Sequence, residues 1–188
     1  MRTIMLTVCL LASSTFVFAQ NSPSNPVATL AQDNPISALN KRSYGQLKNW
    51  LLRSAEKMPE ESYNFKPTDA VRSYGQILGH LADYQYMYCS ILRGEKNPAA
   101  KTDQTSKADL LIVLQNAFAY CDQPYDGLTD VSALQMVKFY GGDTPRINVM
   151  IVNNMHMSEH YGNLVVYMRL KNIVPPSTES ANMPPPKK

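Results

Sequence analysis

The stretch Ser73-Tyr74-Gly75-Gln76-Ile77-Leu78-Gly79-His80-Leu81 decides the fold. Serine followed three residues later by glutamine is a capping box: each side chain satisfies a backbone N–H that the first helical turn leaves unpaired. From that start Ile77, Leu81, Tyr84, Tyr88 and Ile91 recur three or four residues apart, the spacing of one face of a helix. The pattern predicts a helix running to about Gly94, with His80 one turn beyond the cap and beside the apolar stripe.

Working outward, the same signals repeat. Upstream, Asn34-Pro35 is a capping residue followed by proline at the first helical position. Ile36, Leu39, Tyr44, Leu47, Leu51 and Ala55 follow at helical spacing, with Trp50 over a seam, until Pro59 ends the helix. Residues 60–72 form a connection that Tyr63, Phe65 and Pro67 pin to the core. Downstream, residues 95–104 form a loop. Thr105 or Ser106 then caps a third helix to about Tyr125, with Leu110, Leu114, Ala117 and Cys121 on one stripe. Residues 129–144 are irregular, with Val137-Lys138-Phe139-Tyr140 an extended piece before Gly141-Gly142. Thr144-Pro145 repeats the cap-then-proline signal, and a fourth helix reaches about Lys171 before Pro175-Pro176 stops it. Four helices of roughly 20 residues predict an all-α four-helix bundle.

Composition agrees with one folded domain. In 188 residues, 44% hydrophobic and 18% charged side chains suit a globular chain and not a disordered one. The first nineteen residues stand apart. Arg2 precedes an apolar run over residues 4–18, and Val17-Phe18-Ala19 fits the small-x-small rule for cleavage after Ala19. The run is short for a membrane span. It reads as a bacterial-type secretory signal with release into the periplasm or beyond, the alternative being a retained anchor. Cys9 lacks a lipoprotein-type context. The expected organisation is a signal over 1–19, a flexible leader over 20–33, the bundle over 34–176 and a disordered tail over 177–188.

Removal of Arg2 takes the 18 Lys and Arg to 17 against 15 Asp and Glu, a formal charge of +2. That balance excludes an electrostatic case for nucleic acid. No stretch after the signal is apolar for long enough to span a membrane. Cys89 and Cys121 remain, and an even count in an oxidising compartment points to a disulfide, with two buried thiols as the alternative.

The chain has three histidines. In Asn153-Asn154-Met155-His156-Met157-Ser158-Glu159-His160, the spacing of four sets His156 and His160 on one helix face. A third imidazole, His80, from a neighbouring helix would complete a three-nitrogen metal site with open positions, the alternative being polar side chains at the bundle surface or satisfied in its interior. Imidazole suits zinc, nickel, copper or iron. Asp83, three residues after His80, and Tyr84 are the polar groups expected around it, with Asn153 and Asn163 behind on the fourth helix. Glu159 faces the site or is a plain surface charge. Met157 follows His156 where a zinc protease carries glutamate, so the general base of that mechanism is missing. Most of the ten methionines fall on helix stripes, and only Met155 and Met157 flank a candidate ligand.

These residues resemble the DinB-like superfamily, the damage-inducible and bacillithiol-transferase-like group. The segment from Arg72 to Leu81 is similar to its second-helix motif, and His156-Met157-Ser158-Glu159-His160-Tyr161-Gly162-Asn163-Leu164 to its fourth-helix motif. Met58-Pro59-Glu60-Glu61 and Tyr63-Asn64-Phe65-Lys66-Pro67 resemble its connection. The likeness covers about residues 34–176. It implies up-down-down-up topology and a divalent metal, usually zinc or nickel, on the positions of His80, His156 and His160. It also implies kinship with thiol-dependent S-transferases and a maleylpyruvate isomerase. In the implied topology helices two and three run parallel, so Cys89 and Cys121 share one end and a bridge between them becomes possible. The family's thiol cosubstrates are cytoplasmic, so an exported member needs another nucleophile, such as water.

Three functions follow. One is a metal-dependent hydrolase or transferase acting on a small molecule. Another is a non-catalytic, metal-stabilised bundle with a structural or partner-binding role. The last is a metal-free bundle whose apolar faces serve a homodimer.

Overall fold

A computed structural model describes residues 34–99 and 101–181. The expected signal, the leader and the end of the tail lie outside the described residues. In chain order the elements are α1 (Pro35–Lys57), a 3-10 turn (Glu60–Ser62), α2 (Tyr74–Arg93), α3 (Lys107–Asp126), a short α4 (Asp130–Ala133), strands β1 (Met136–Phe139) and β2 (Gly142–Pro145), α5 (Arg146–Leu170) and a short α6 (Pro176–Ala181). The four long helices form the bundle.

Their directions can be read from contacts between named ends. The end of α1 meets the start of α2, where Tyr74 donates to the Ser54 carbonyl at 2.7 Å. Lys48 pairs with Asp122, and Lys107 donates to the Glu56 carbonyl, so α3 runs against α1. Arg146 donates to the Leu92 carbonyl and Tyr167 to the Arg72 carbonyl, so α5 runs against α2. Trp50 stacks on Tyr161 and Asn154 donates to Asn40, so α5 runs with α1. The order is up, down, down, up.

The parallel pair α2 and α3 is fixed at both ends. The Cys89–Cys121 disulfide, with Cα atoms 5.3 Å apart, ties their C-terminal halves. At the other end Gly79 lets the loop and α3 approach: a Cβ there would stand 2.6 Å from the Thr102 methyl and 3.5 Å from Leu110. The core between the helices is dominated by Leu51, Leu78, Leu81, Leu110, Leu114, Phe118, Met150, Met157 and Leu164, all fully buried.

The capping box at the start of α2 forms as the sequence dictates, with Ser73 N–H donating to Gln76 Oε1 at 2.8 Å and Gln76 N–H to Ser73 Oγ at 3.3 Å. Of the two candidate caps for α3, Ser106 supplies it. The cap of α1 is different. Asn34 makes no side-chain bond to its own helix. Instead Asp130 accepts from Ser37 N–H at 2.8 Å and from Ser37 Oγ at 2.6 Å, while Asn34 Oδ1 accepts from Asp130 N–H. A carboxylate from α4 thus caps α1 across 93 residues. Ile36 and Leu39, placed on the apolar stripe by spacing, are 59% and 60% exposed. Pro67 is exposed too and pins nothing, whereas Tyr63 is buried and donates to the Ala55 carbonyl.

The irregular stretch holds a hairpin. Phe139 pairs with Gly142, leaving a two-residue loop with both φ values positive, Tyr140 at 47° and Gly141 at 83°. That is the turn whose twist suits a hairpin, and glycine accepts its second position without strain. Pairing with Val137 draws Thr144 into β2, so it does not cap α5. Pro145 takes the cap position, and Arg146 N–H donates to the Gln135 carbonyl. The tail departs from expectation as well: α6 folds back on α1, where Arg53 and Lys57 both pair with Glu179.

Candidate metal centre

Antiparallel packing of α2 on α5 brings the three histidines together. His80 stands in the second turn of α2, and His156 and His160 lie midway along α5. His156 Nε2 is 3.0 Å from His80 Nε2 and 3.1 Å from His160 Nε2. All three ligand atoms lie within 4.8 Å of one another, so they could hold one metal ion. His160 is buried and the other two are half-buried.

Hydrogen bonding alone does not resolve this arrangement. A neutral imidazole nitrogen carries either one proton or one lone pair. His156 Nε2 stands in both close pairs, so it cannot be donor to one ring and acceptor from the other. A cation takes three converging lone pairs at once. With the Nε2 atoms so committed, the protons would sit on Nδ1. The Asn163 carboxamide stands 3.4 Å from His160 Nδ1. His156 Nδ1 is buried without a hydrogen-bond partner among the described residues.

The electrostatics keep the rings neutral, the state a metal ligand needs. Burial first, then Arg72 and His160, push His80 down to about 4. Burial, followed by His160 and His80, pushes His156 down to about 3. His160 is lowered by burial, with Glu159 pulling the other way. The residues present therefore fit a divalent ion: three neutral nitrogen donors, borderline in softness, with room for further ligands.

Aromatic rings wall the site. Tyr84, one turn beyond His80, packs 4.4 Å from its ring and stacks on His156 at 4.6 Å. Tyr88 meets His156 edge-on at 5.8 Å and is backed by Phe139 of the hairpin at 6.0 Å. Two clefts reach the centre. One of about 420 Å³ is bordered by His80, Asp83, Tyr84, Arg72 and Lys101. The other, about 740 Å³, is bordered by His160, Asn163, Tyr167, Arg72 and Lys66.

The remaining expected residues sort by position. Asp83 lines the first cleft, but its carboxylate accepts from Thr102 N–H at 2.8 Å and anchors the loop before α3. Asn163 borders the second cleft. Asn153 does not stand behind the histidines: it is fully buried and paired with Gln85 and Tyr125. Glu159 is exposed. Met155 is 65% exposed and Met157 is in the core. A Cβ at Gly162 would meet nothing within 4 Å, so no close neighbour requires that glycine.

Sequence reasoning missed Arg72, Lys101 and Gln85. Arg72 lay inside the quoted motif, but a charge just before a helix cap carries no periodic signal. Lys101 lies on a loop. Gln85 was findable: it stands four residues after Leu81 and three before Tyr88, a polar residue on the apolar stripe.

The model of the DinB superfamily matches residues 46–164. Among solved structures, the chain is similar to a DinB-like protein from Bacillus cereus, with TM-score 0.63, 16% identity, and coverage of 72% of this chain and 92% of that one. It is also similar to a DinB-like protein from Bacillus subtilis, with TM-score 0.60, 18% identity, and coverage of 71% and 92%. At such identity these two likenesses are of fold. No curated protein matches the chain.

Proposed function

The chain belongs to the DinB superfamily, and from that premise we propose that it is an exported member that binds one divalent metal ion, zinc or nickel, through His80, His156 and His160 and acts on a small molecule as a metal-dependent hydrolase or transferase. The observation that carries this reading is the meeting of three Nε2 atoms at one point, where the single proton or lone pair of His156 Nε2 would have to serve both neighbouring rings. When bound, a divalent ion on three imidazoles supplies Lewis-acid activation at its free coordination positions. The chain's own residues do the rest. Tyr84 stacks on His156 and packs at a tilt against His80, and Asn163 stands against His160. The clefts give a small molecule two approaches.

Export rests on the sequence of residues 1–19, and the Cys89–Cys121 disulfide supports an oxidising destination. No helix of the described residues is long and apolar enough to cross a membrane.

Elemental analysis of the purified mature protein, at near-neutral pH and without chelator, tests the metal. One ion per chain is expected in wild type, lost in His80→Ala and in His160→Ala. A metal-free wild type ends the proposal. A bound ion closed off by a fourth protein ligand, seen by X-ray absorption, would make the bundle metal-stabilised and non-catalytic. Mass spectrometry of the exported chain should find Gln20 at its start.

A further inference from the structure

Arg72 borders both clefts that lead to the histidines, the one at His80 and the one at His160. It stands just before the Ser73 cap, so the positive end of α2 adds to its charge. Its backbone is held, since Tyr167 donates to its carbonyl at 2.6 Å. Arg72 is an exposed residue, and no acidic side chain pairs with it among the described residues. The acids that border the same clefts are engaged elsewhere: Asp83 accepts from Thr102 N–H, and Asp69 pairs with Lys66. A second cation, Lys101, borders the His80 cleft.

A free cation in this place opposes the ion the histidines are built to hold. Like charges repel, and Arg72 borders the same two clefts as His80 and His160. A site that only held a structural ion would gain from a carboxylate there. The arrangement becomes favourable when an anion lies between the two positive centres. We infer that Arg72 is the anion-binding residue of this site, and that the substrate is a small molecule carrying a carboxylate or phosphate group, which the guanidinium grips while its reacting part faces the three histidines. The fork of guanidinium donors matches either group with two parallel hydrogen bonds. This rests on the metal-dependent reading above.

The test uses the mature chain loaded with cobalt(II), a coloured stand-in for zinc, titrated separately with inorganic phosphate and with acetate. Wild type should take up one cobalt and bind at least one anion, with a change in its visible spectrum. Arg72→Gln should take up cobalt as well as wild type and bind that anion about tenfold or more weakly. Arg72→Lys should fall between them. Lys41→Gln, which removes an equal charge from an ion pair with Asp126, should match wild type. The anion that responds tells carboxylate from phosphate. Unchanged anion binding in Arg72→Gln, loss of its cobalt, or a cobalt-loaded wild type that binds neither anion overturns the role of Arg72 and leaves the metal site standing. A wild type that takes up no cobalt overturns both.

Discussion

Helices α2 and α5 carry two polar clusters within a turn or so of each other, one fully buried and one half-buried, and they are built on opposite principles. Gln85 and Asn153 are fully buried and face each other as carboxamides. Gln85 Nε2 donates to Asn153 Oδ1 at 2.8 Å, and Asn153 Nδ2 returns a bond to Gln85 Oε1 at 3.1 Å. Tyr125 accepts from Asn153 and donates to the Met150 carbonyl. Donors meet acceptors and the cluster is complete. Three residues along α5, the histidines present three like atoms to one another. A complementary buried cluster fixes how two helices pack. A cluster of like donor atoms needs something from outside.

Substitutions should separate the two, and the largest effect belongs to the histidines. His156→Ala should weaken metal affinity by roughly a hundredfold or more, one ligand's share of a typical site. It should leave the denaturation midpoint of the metal-free protein close to wild type. Equilibrium dialysis with urea denaturation measures both. A metal-free variant that fails to fold would make the triad part of the packing and erase the contrast.

Next comes the disulfide. Cys89 lies one turn past Gln85 on α2 but ties it to α3, not to α5. Replacing both cysteines with serine opens a loop of separation 32, which should lower stability by about 3–4 kcal/mol. Metal uptake below the unfolding transition should not change. Loss of metal along with the bridge would mean that the α2–α5 face depends on α3.

Asn153→Ala is the mirror image of His156→Ala. It strands the buried Gln85 carboxamide and should reduce stability by about 2–3 kcal/mol while metal uptake persists. Leucine at both Gln85 and Asn153 should cost less than the two single changes added together, because no polar atom is then left unpaired. Strict additivity would show that the two side chains do not act as a pair.

The contrast also explains what the sequence could show. Helices were legible where one signal was local: the Ser73–Gln76 box, the proline after Asn34, the stripe through Ile77 and Leu81. The histidines were legible because a spacing of four needs only one helix, and the family likeness placed His80 opposite. What was missed depends on residues far apart. The cap of α1 comes from Asp130, and Asn34 serves α4 in return. Asn153 lies on the same helix as the site but turns toward Gln85, and only the α2–α5 register decides that. Thr144 before Pro145 carries a true capping pattern, overridden because strand pairing claims the threonine.

A third polar cluster, at the surface, sets the scale for the other two and should show the smallest effect. Glu179 of α6 pairs with Arg53 at 2.6 Å and with Lys57, closing the short terminal helix onto α1. Hydrogen bonding from Lys57, aided by the charges of Lys57 and Arg53, holds its carboxyl below the ordinary 4.5. A carboxyl whose folded value is depressed contributes stability above its unfolded value and loses it as pH falls through the folded one. The latch should therefore add to stability above about pH 4.5 and fade below it. Glu179→Gln should lower the melting temperature slightly at pH 7, and that deficit should shrink as the pH falls below about 4.5. Exposed pairs are screened, so 1 M salt should remove most of the difference at pH 7. The Gln85–Asn153 pair carries no charge, so the deficit of Asn153→Ala should survive both salt and acid. A salt-sensitive deficit in Asn153→Ala would mean that the buried pair is in contact with solvent, and the division between a self-sufficient cluster and an open one would fail at its better-defined half.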